Sequence, residues 1–276
     1  MILDYHMHLR GVADGREGAL DHRVEAIQPF LETARAAGVD EIGFTGHVYY
    51  FRRTRPLWEV PYHTERCVYD LEPYVEAILG AKRLGLPVKL GLEVDYAPGR
   101  EEETRELLSP YPWDYLLGSI HFIDDLCVDG APRLIDGVGL DAAWRRYFDT
   151  LAAAAESGLF DSLAHPDLVK IFGVRPEREL EEELHEQVVE AIAAAGVAVE
   201  VSTAGLRKPV GELYPDPHLL ELCRARGVPV TLASDAHEPG LVGRDFDRAL
   251  ELLCAAGYET ITAFDERRPR QVPFDA

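Results

Sequence analysis

Short apolar runs alternate with longer amphipathic or alanine-rich segments along the whole chain. The apolar runs are four to seven residues long, bounded by polar or glycine-containing stretches, which is typical of buried strands. Seven of them predict strands at residues 2–6, 41–45, 88–94, 115–121, 161–165, 197–202 and 229–235. A further short strand is predicted at residues 260–264.

Segments with helical periodicity separate these strands. Five of them, VEAIQPFLETARAAG, LEPYVEAILGAKRLG, AWRRYFDTLAAAAESG, ELHEQVVEAIAAAG and HLLELCRARG, finish in glycine, as helices often do. Another helix is predicted at residues 244–257. Strict alternation of strand and helix indicates βα units around a parallel sheet. Seven or eight such units, without a dinucleotide fingerprint or a flexible linker, predict an α/β barrel that forms one domain over residues 1–276.

Composition and charge narrow the choice of partners. The 276 residues, 47% of them hydrophobic, suffice for a large single core. A formal net charge of −21 argues against nucleic acid and anionic membranes as partners, because a polyanion is repelled before it meets a local positive patch. If the protein handles phosphate, local cations must overcome this field, and metal ions are a compact way to supply them.

The cysteines and the amino-terminal sequence indicate in which cellular compartment the protein is found. Four widely scattered cysteines, with no CxxC pair, predict a reduced intracellular protein. The start MILDYHMH lacks the basic and long apolar regions of a signal peptide, and no run approaches the roughly 18–20 apolar residues of a spanning helix. We therefore predict a soluble cytoplasmic protein with a small-molecule substrate. The oligomeric state stays open, a homo-oligomer included.

Residues that commonly bind metals follow nearly every predicted strand. In chain order they are His6 and His8, His47, Glu93 and Asp95, His121, His165 and Asp167, Glu200, and Asp235 and His237. The carboxyl ends of parallel strands surround one mouth of a barrel, where active sites are built. We therefore expect these side chains to meet in one cavity.

Each of these residues also has an ordinary structural explanation. His47, His121 and His165 could each be a satisfied polar residue at a strand end. Glu93 could be a buried salt-bridge partner, and Asp235 a helix N-cap. A random scatter would not place ligand-type side chains at the same end of nearly every strand, so a metal centre is favoured. Histidine and carboxylate ligands without cysteine suit Zn²⁺, Fe²⁺ or Mn²⁺.

The motifs form a recognisable ordered set. They are HMH at 6–8, GH at 46–47, GLE at 91–93, SIH at 119–121, AHPD at 164–167 and SDAH at 234–237. This set resembles the PHP (polymerase and histidinol phosphatase) superfamily. The segments YHMH, GLEVDY, SIHFID and STAGLRKP are most similar to its monofunctional histidinol-phosphate phosphatases. The resemblance implies a distorted, TIM-barrel-like (β/α)7 barrel with a centre of two or three divalent metal ions.

The resemblance also implies how the ligands divide among three ions. One ion would be held by His6, His8, Glu93 and Asp235. A second would be held by His121 and His165, with Glu93 bridging the two. A third would be held by His47, His237 and one more ligand.

The last ligand departs from the commonest pattern of the superfamily. Many members carry another histidine eight residues after the first of the HxH pair, where this chain has Asp14. Asp14 can coordinate as a carboxylate, or it can cap a loop beside Gly15. His22 is an alternative.

Other barrel hydrolases also begin with an HxH pair. Resemblance to the amidohydrolases would require a metal-bridging lysine at a strand end. The four lysines are Lys82, Lys89, Lys170 and Lys208, and none closes a predicted strand. Glu93 takes the bridging role instead.

Two basic residues and two loops are candidates for binding substrate. The STAGLRKP segment implies by resemblance that Arg207 meets a phosphate, since a guanidinium fork suits that geometry; a solvated basic loop is the alternative. Lys170 is a second candidate. The long loop VYYFRRTRPLWEVPYHTE after His47 is expected to cover the site, and DDLCVDGAPRLID after His121 is another candidate cover.

The leading hypothesis is a phosphomonoesterase that converts L-histidinol phosphate to L-histidinol in histidine biosynthesis. A metal-activated hydroxide would attack phosphorus in line, with Glu93 bridging ions and Asp235 or His237 assisting the leaving group. The alternatives are a family phosphoesterase for another small ester or a nucleotide, and a metal-binding scaffold without turnover.

Overall fold

The computed structural model describes residues 1–9, 21–130 and 138–274. Its strands are β1 (Leu3–Asp4), β2 (Glu41–Phe44), β3 (Val88–Asp95), β4 (Tyr115–Ser119), β5 (Phe122–Ile123), β6 (Leu126–Cys127), β7 (Ser162–Leu163), β8 (Ala198–Ser202), β9 (Val230–Ala233), β10 (Thr260–Asp265) and β11 (Arg268–Pro273). All seven strands predicted for the barrel are present. Each except β3 is shorter than predicted, and β1 and β7 have only two residues each.

Seven strands form one parallel sheet in the order β1-β2-β3-β4-β7-β8-β9. Its two edges also meet. The backbone N–H of Tyr5 donates to the carbonyl of Leu232 at 3.1 Å, and that of His8 donates to Ala236 at 2.8 Å. Met7 and Ala236 form a parallel bridge just beyond the strands. The sheet is therefore a nearly closed seven-stranded barrel, which confirms the predicted α/β barrel with seven strands.

Helices cover the outside of the barrel, apart from one four-residue helix that lies over its carboxyl-terminal end. They are α1 (Gln28–Ala36), α2 (Pro61–Thr64), α3 (Leu71–Arg83), α4 (Glu101–Leu108), α5 (Leu140–Glu156), α6 (Arg178–Ala195), α7 (Pro217–Ala225) and α8 (Phe246–Ala255). Their ends follow from the sequence. Asp216 caps α7 by accepting from the N–H of His218, and Gly196 ends α6 with a left-handed φ of 70° that a side chain would disfavour.

The predicted strand at 260–264 exists as β10, but it lies outside the barrel. It pairs antiparallel with β11, a strand that was not predicted. The turn of this hairpin binds residues that precede barrel strands: the N–H of Arg267 donates to the carbonyl of Asp114 at 2.9 Å. Lys89 near the start of β3 lies 2.7 Å from Asp265. The hairpin therefore closes the amino-terminal end of the barrel, which we call the base.

Aromatic rings fill the barrel near the base. Tyr115 stacks on Tyr5 at 5.0 Å and on Phe264 of the hairpin at 5.7 Å between ring centroids. The Tyr115 ring fits because β3 carries Gly91 beside it, where a Cβ would lie 2.6 Å from a ring carbon. A larger residue there would displace the stack.

The opposite, carboxyl-terminal end is the mouth. The segment after β2, with α2, and the β5–β6 hairpin lie over it, and their residues line the cavity described below. Within the described ranges, no helix combines the length and apolarity needed to span a membrane. The single domain over residues 1–276 stays a prediction.

Candidate metal centre

Glu93 lies at the centre of the mouth and is fully buried. Its Oε2 faces three imidazole nitrogens. The distances are 2.7 Å to His47 Nδ1, 3.3 Å to His6 Nε2 and 3.7 Å to His8 Nε2. These histidines follow β2 and β1, so one carboxylate oxygen joins the ends of two neighbouring strands.

The other oxygen of Glu93 faces the far side of the mouth. Glu93 Oε1 lies 3.2 Å from His165 Nε2 and 3.3 Å from His121 Nε2. His121 follows β4, and His165 follows β7 with an unusual left-handed φ of 25°. Glu93 thus contacts histidines on both sides, which is the arrangement expected of a bridging ligand.

Asp235 and His237 complete the ring of predicted ligands from the end of β9. Asp235 Oδ1 lies 3.2 Å from His8 Nε2, 3.6 Å from His6 Nε2 and 3.4 Å from His237 Nδ1. Asp235 also has a left-handed φ, of 50°. The His237 side chain is about one-third exposed at 36%, so it faces the open cavity.

The donor atoms fall into four overlapping groups of three, with all atoms of a group within 4.8 Å of one another. The groups are His6/His8/Asp235, His6/Glu93/His165, His47/Glu93/His121 and His8/His47/His237. The first belongs to the ligand set inferred for one ion. The fourth contains both histidines inferred for the third ion. His6, which the resemblance assigns to the first ion, also forms a group with Glu93 and His165 of the second ion. The division of the ligands among three ions stays a prediction.

Asp14 and His22 are the two further candidates for the third site. Asp14 lies outside the described residues. His22 packs among the rings of Phe51, Tyr69 and Tyr74, with centroids 5.4 to 5.8 Å away, and burial lowers its pKa to about 4. The structure does not bring His22 to the other ligands.

The hydrogen bonding and charge of these residues fit divalent ions. His6 Nε2, His47 Nδ1 and Glu93 Oε2 are buried and form no hydrogen bond within the described structure. Leaving such atoms unpaired costs about 1–3 kcal/mol each, which coordination would offset. Burial would raise the pKa of the Glu93 carboxyl, but the imidazoles of His47, His6 and His121 hold it well below its usual value. Glu93 is therefore an anion, and Zn²⁺, Fe²⁺ or Mn²⁺ suits this donor set.

Two carboxylates that the sequence placed at strand ends, without assigning them a role, bind the far nitrogens of ligand histidines. Glu200 Oε2 lies 2.8 Å from His6 Nδ1, and Asp95 Oδ1 lies 2.9 Å from His121 Nδ1. Burial would lower the pKa of His121, but Asp95 and Glu93 raise it to about 10. Because Nδ1 of each histidine is bound to a carboxylate, Nε2 of His6 and Nε2 of His121 are directed at Glu93. Glu93 and Asp95 are two residues apart on one strand, so their side chains lie on the same face. This spacing was the sequence signal that Asp95 belongs to the site.

The residues predicted to bind phosphate do not line the cavity. Lys170 is fully buried, 2.8 Å from Asp167 Oδ2, and donates to the carbonyl of Leu213. Asp167 three residues earlier was the local signal for this pairing. Arg207 Nη2 donates to the carbonyl of Ser234 at 2.5 Å and so supports the turn that carries Asp235.

A cavity of about 740 Å³ opens above Glu93. Its floor contains the ligand candidates His47, Glu93, His121, His165, Asp235 and His237. Its walls carry five tyrosines, together with the cations Arg66 and Lys208 and the acids Glu65 and Asp129. The tyrosines are Tyr49, Tyr50, Tyr62, Tyr69 and Tyr214. The loop after His47 contributes Tyr49, Tyr50, Tyr62 and Glu65 to this wall, so it lies beside the site as the sequence predicts.

Comparison with known families agrees with this geometry. A family model described as "PHP domain" matches residues 18–204, more than half of the chain. The chain belongs to the PHP family. Four of the candidate ligands, His47, Glu93, His121 and His165, lie in the matched range.

Relatives of this PHP chain span nearly its full length. A Deinococcus radiodurans protein named "Probable histidinol-phosphatase" is 33% identical over 249 residues, covering 87% of this chain and 91% of its own. A Bacillus subtilis "Histidinol-phosphatase" is 28% identical over 253 residues, covering 82% and 92%. A Lactococcus lactis histidinol phosphate phosphatase, crystallised with zinc, L-histidinol and phosphate, superimposes with a TM-score of 0.73 at 22% identity over 98% of both chains. This last likeness shows that the fold is shared.

Proposed function

We propose that this chain is a metal-dependent phosphomonoesterase that hydrolyses L-histidinol phosphate to L-histidinol and phosphate. Relatives named for that activity cover most of both chains. A protein of the same fold was crystallised with L-histidinol, phosphate and zinc. A small charged substrate of amino-acid metabolism also agrees with the expected cytoplasmic location.

One observation supports this proposal most directly: five imidazoles lie within 3.7 Å of the buried carboxylate of Glu93, below an open cavity. Divalent ions bound there would lower the pKa of water and neutralise charge on phosphoryl oxygens. The eight candidate ligands are His6, His8, His47, Glu93, His121, His165, Asp235 and His237.

The chain's own residues would orient the ester and handle the proton of the leaving group. Asp235 and His237 line the cavity, so both can reach a substrate oxygen there. Lys208 and Arg66 are the basic side chains of the lining, and they would offset the net negative charge of the protein near a phosphate. Arg207 remains a candidate if its guanidinium exchanges the Ser234 carbonyl for phosphate.

The upper cavity suits the rest of the substrate. Tyrosine rings offer flat faces on which an imidazole can stack. Glu65 and Asp129 offer carboxylates for a primary ammonium group. The volume of about 740 Å³ lies in the range of small-molecule sites, which agrees with a single small ester.

A phosphate-release assay tests the proposal. The metal-stripped protein would be loaded with Zn²⁺, Fe²⁺ or Mn²⁺ and given histidinol phosphate, other small phosphate monoesters and a nucleotide. We expect the highest kcat/KM for histidinol phosphate. A higher kcat/KM for another ester or for the nucleotide would favour a phosphatase of a different substrate, and no release from any ester would favour a metal-binding scaffold.

A further inference from the structure

Glu200 binds two candidate metal ligands at once. It lies on β8, with β9 between it and β1, and is fully buried. Its Oε2 lies 2.8 Å from Nδ1 of His6, and its Oε1 accepts from the backbone N–H of His165 at 3.1 Å. One side chain therefore connects ligands that follow two strands that are not neighbours.

The bond to His6 determines which imidazole nitrogen can bind a metal ion. A carboxylate only accepts hydrogen bonds, so Nδ1 of His6 must carry the proton and donate it. Nε2 is then left with its lone pair, and it lies 3.3 Å from Glu93 Oε2 and 3.6 Å from Asp235 Oδ1. Glu200 thereby favours the tautomer that binds through Nε2.

The bond to His165 holds an unusual backbone conformation. The left-handed φ of 25° at His165 is unfavourable for a residue with a side chain, by about 1–3 kcal/mol. Glu200 satisfies the buried N–H of this residue. His165 Nε2 is thereby kept 3.2 Å from Glu93 Oε1.

Asp95 offers a contrast within the same site. Its Oδ1 accepts from His121 Nδ1 at 2.9 Å, while its Oδ2 is buried and has no hydrogen-bond partner in the described structure. An amide at position 95 could keep its oxygen on His121 and turn its NH₂ to the other side. An amide at position 200 faces two donors, so its NH₂ must oppose one of them.

We propose that Glu200 is a positioning residue that selects the metal-binding tautomer of His6 and holds the backbone of His165 in place. Through these two bonds it couples metal-ligand groups on two sides of Glu93. This inference rests on the proposed metal centre, but it is independent of which phosphate ester is hydrolysed.

The test compares Glu200→Gln with the matched control Asp95→Asn in the full-length protein. Each metal-stripped protein is titrated with Zn²⁺ against a chromophoric chelator, and the absorption spectrum of the Co²⁺-loaded protein is recorded. We expect Glu200→Gln to weaken Zn²⁺ binding by about 10–100-fold and to alter the Co²⁺ spectrum. Asp95→Asn should weaken Zn²⁺ binding less than Glu200→Gln does, because its amide oxygen can keep the hydrogen bond to His121 Nδ1.

The outcomes separate this inference from the proposed function. Equal Zn²⁺ affinities and Co²⁺ spectra for wild type and Glu200→Gln would overturn the role of Glu200 while leaving the phosphatase intact. A wild type that binds no Zn²⁺ would overturn the metal centre and this assignment with it. If Glu200→Gln does not fold, Glu200→Asp keeps the charge but is one carbon shorter. It should lose one of the two bonds and weaken Zn²⁺ binding, and unchanged binding would again overturn the role.

Discussion

The two ends of the barrel differ in how their buried polar groups are paired. At the mouth, Glu93 and its histidines are buried, and several of their nitrogen and oxygen atoms have no hydrogen-bond partner among the described residues. His165 and Asp235 adopt left-handed backbone conformations there. At the base, the hydroxyl of Tyr115 donates to the carbonyl of Tyr5 at 2.7 Å within a stack of rings. The difference indicates that the base stabilises the fold, whereas the mouth has donor atoms available to bind metal ions.

The base also pairs its buried charge. Asp114 accepts from Lys82 Nζ at 2.6 Å and from the backbone N–H of Leu90 at 2.8 Å. At the mouth, Asp235 is also an aspartate, but it lies among imidazole nitrogens that can bind a cation together with it. A change at the mouth should therefore affect metal binding and turnover, whereas a change at the base should affect stability alone.

The largest expected effect is at the mouth. Glu93→Gln removes the charge that five imidazoles face, so we expect kcat to fall about 10³-fold or more, roughly 4 kcal/mol, together with the bound metal. Phosphate release and metal analysis on the same sample measure both. Full metal content with full turnover would contradict the bridging role.

The next effect concerns the base. Phe264→Ala removes a ring that stacks on Tyr115 and contacts Tyr5, so the free energy of unfolding should fall by about 3 kcal/mol or more. Zn²⁺ stoichiometry should be unchanged. Urea denaturation of the metal-free protein measures the first quantity, with Phe264→Leu as a milder control. A loss of metal without a loss of stability would contradict the division between the two ends.

Metal removal is expected to lower the free energy of unfolding by a smaller amount, and this effect depends on the ligands at the mouth. Free Zn²⁺ at 100 times its dissociation constant should stabilise the wild type by about 2.7 kcal/mol, and a chelator should abolish this gain. Phe264→Ala should show the same increment, because distant sites add independently. Glu93→Gln should show much less, and an equal increment in that variant would argue that Glu93 is not a ligand. Thermal unfolding with and without chelator measures all three.

The smallest effect is a single hydrogen bond. Tyr115→Phe removes the donor to the Tyr5 carbonyl while keeping the stacked ring, so stability should fall by about 1 kcal/mol. Both kcat and metal content should match the wild type. A reduced kcat in this variant would show that the two ends are coupled.

The metal ligands could be predicted from sequence because each follows a strand. Apolar runs locate the strands, and parallel strands bring their carboxyl ends together, so His121 and His165 were expected beside Glu93 before any distance was known. The predicted strand at 260–264 was real, but nothing local indicated that it would pair with β11 at the base and leave the barrel to seven strands.

The basic residues show the limit of the same reasoning. Lys170 and Arg207 follow strands, yet both are held by other groups: Lys170 by Asp167 and the carbonyl of Leu213, and Arg207 by that of Ser234. A long flexible side chain can reach several partners. Its position in the sequence therefore does not determine which partner it binds.

By itself, the sequence determined the order of the seven barrel strands and of most helices between them, the end of the barrel where the ligands gather, and the family. These follow from periodicity and from residue types at regular positions, which are local properties. The tertiary structure alone decided that Glu200 would bind His6, 194 residues away in the chain, and that Tyr115 would stack with Phe264. The first contact depends on the closure of the barrel, which brings β8 near β1, and the second depends on the β10–β11 hairpin packing against the base.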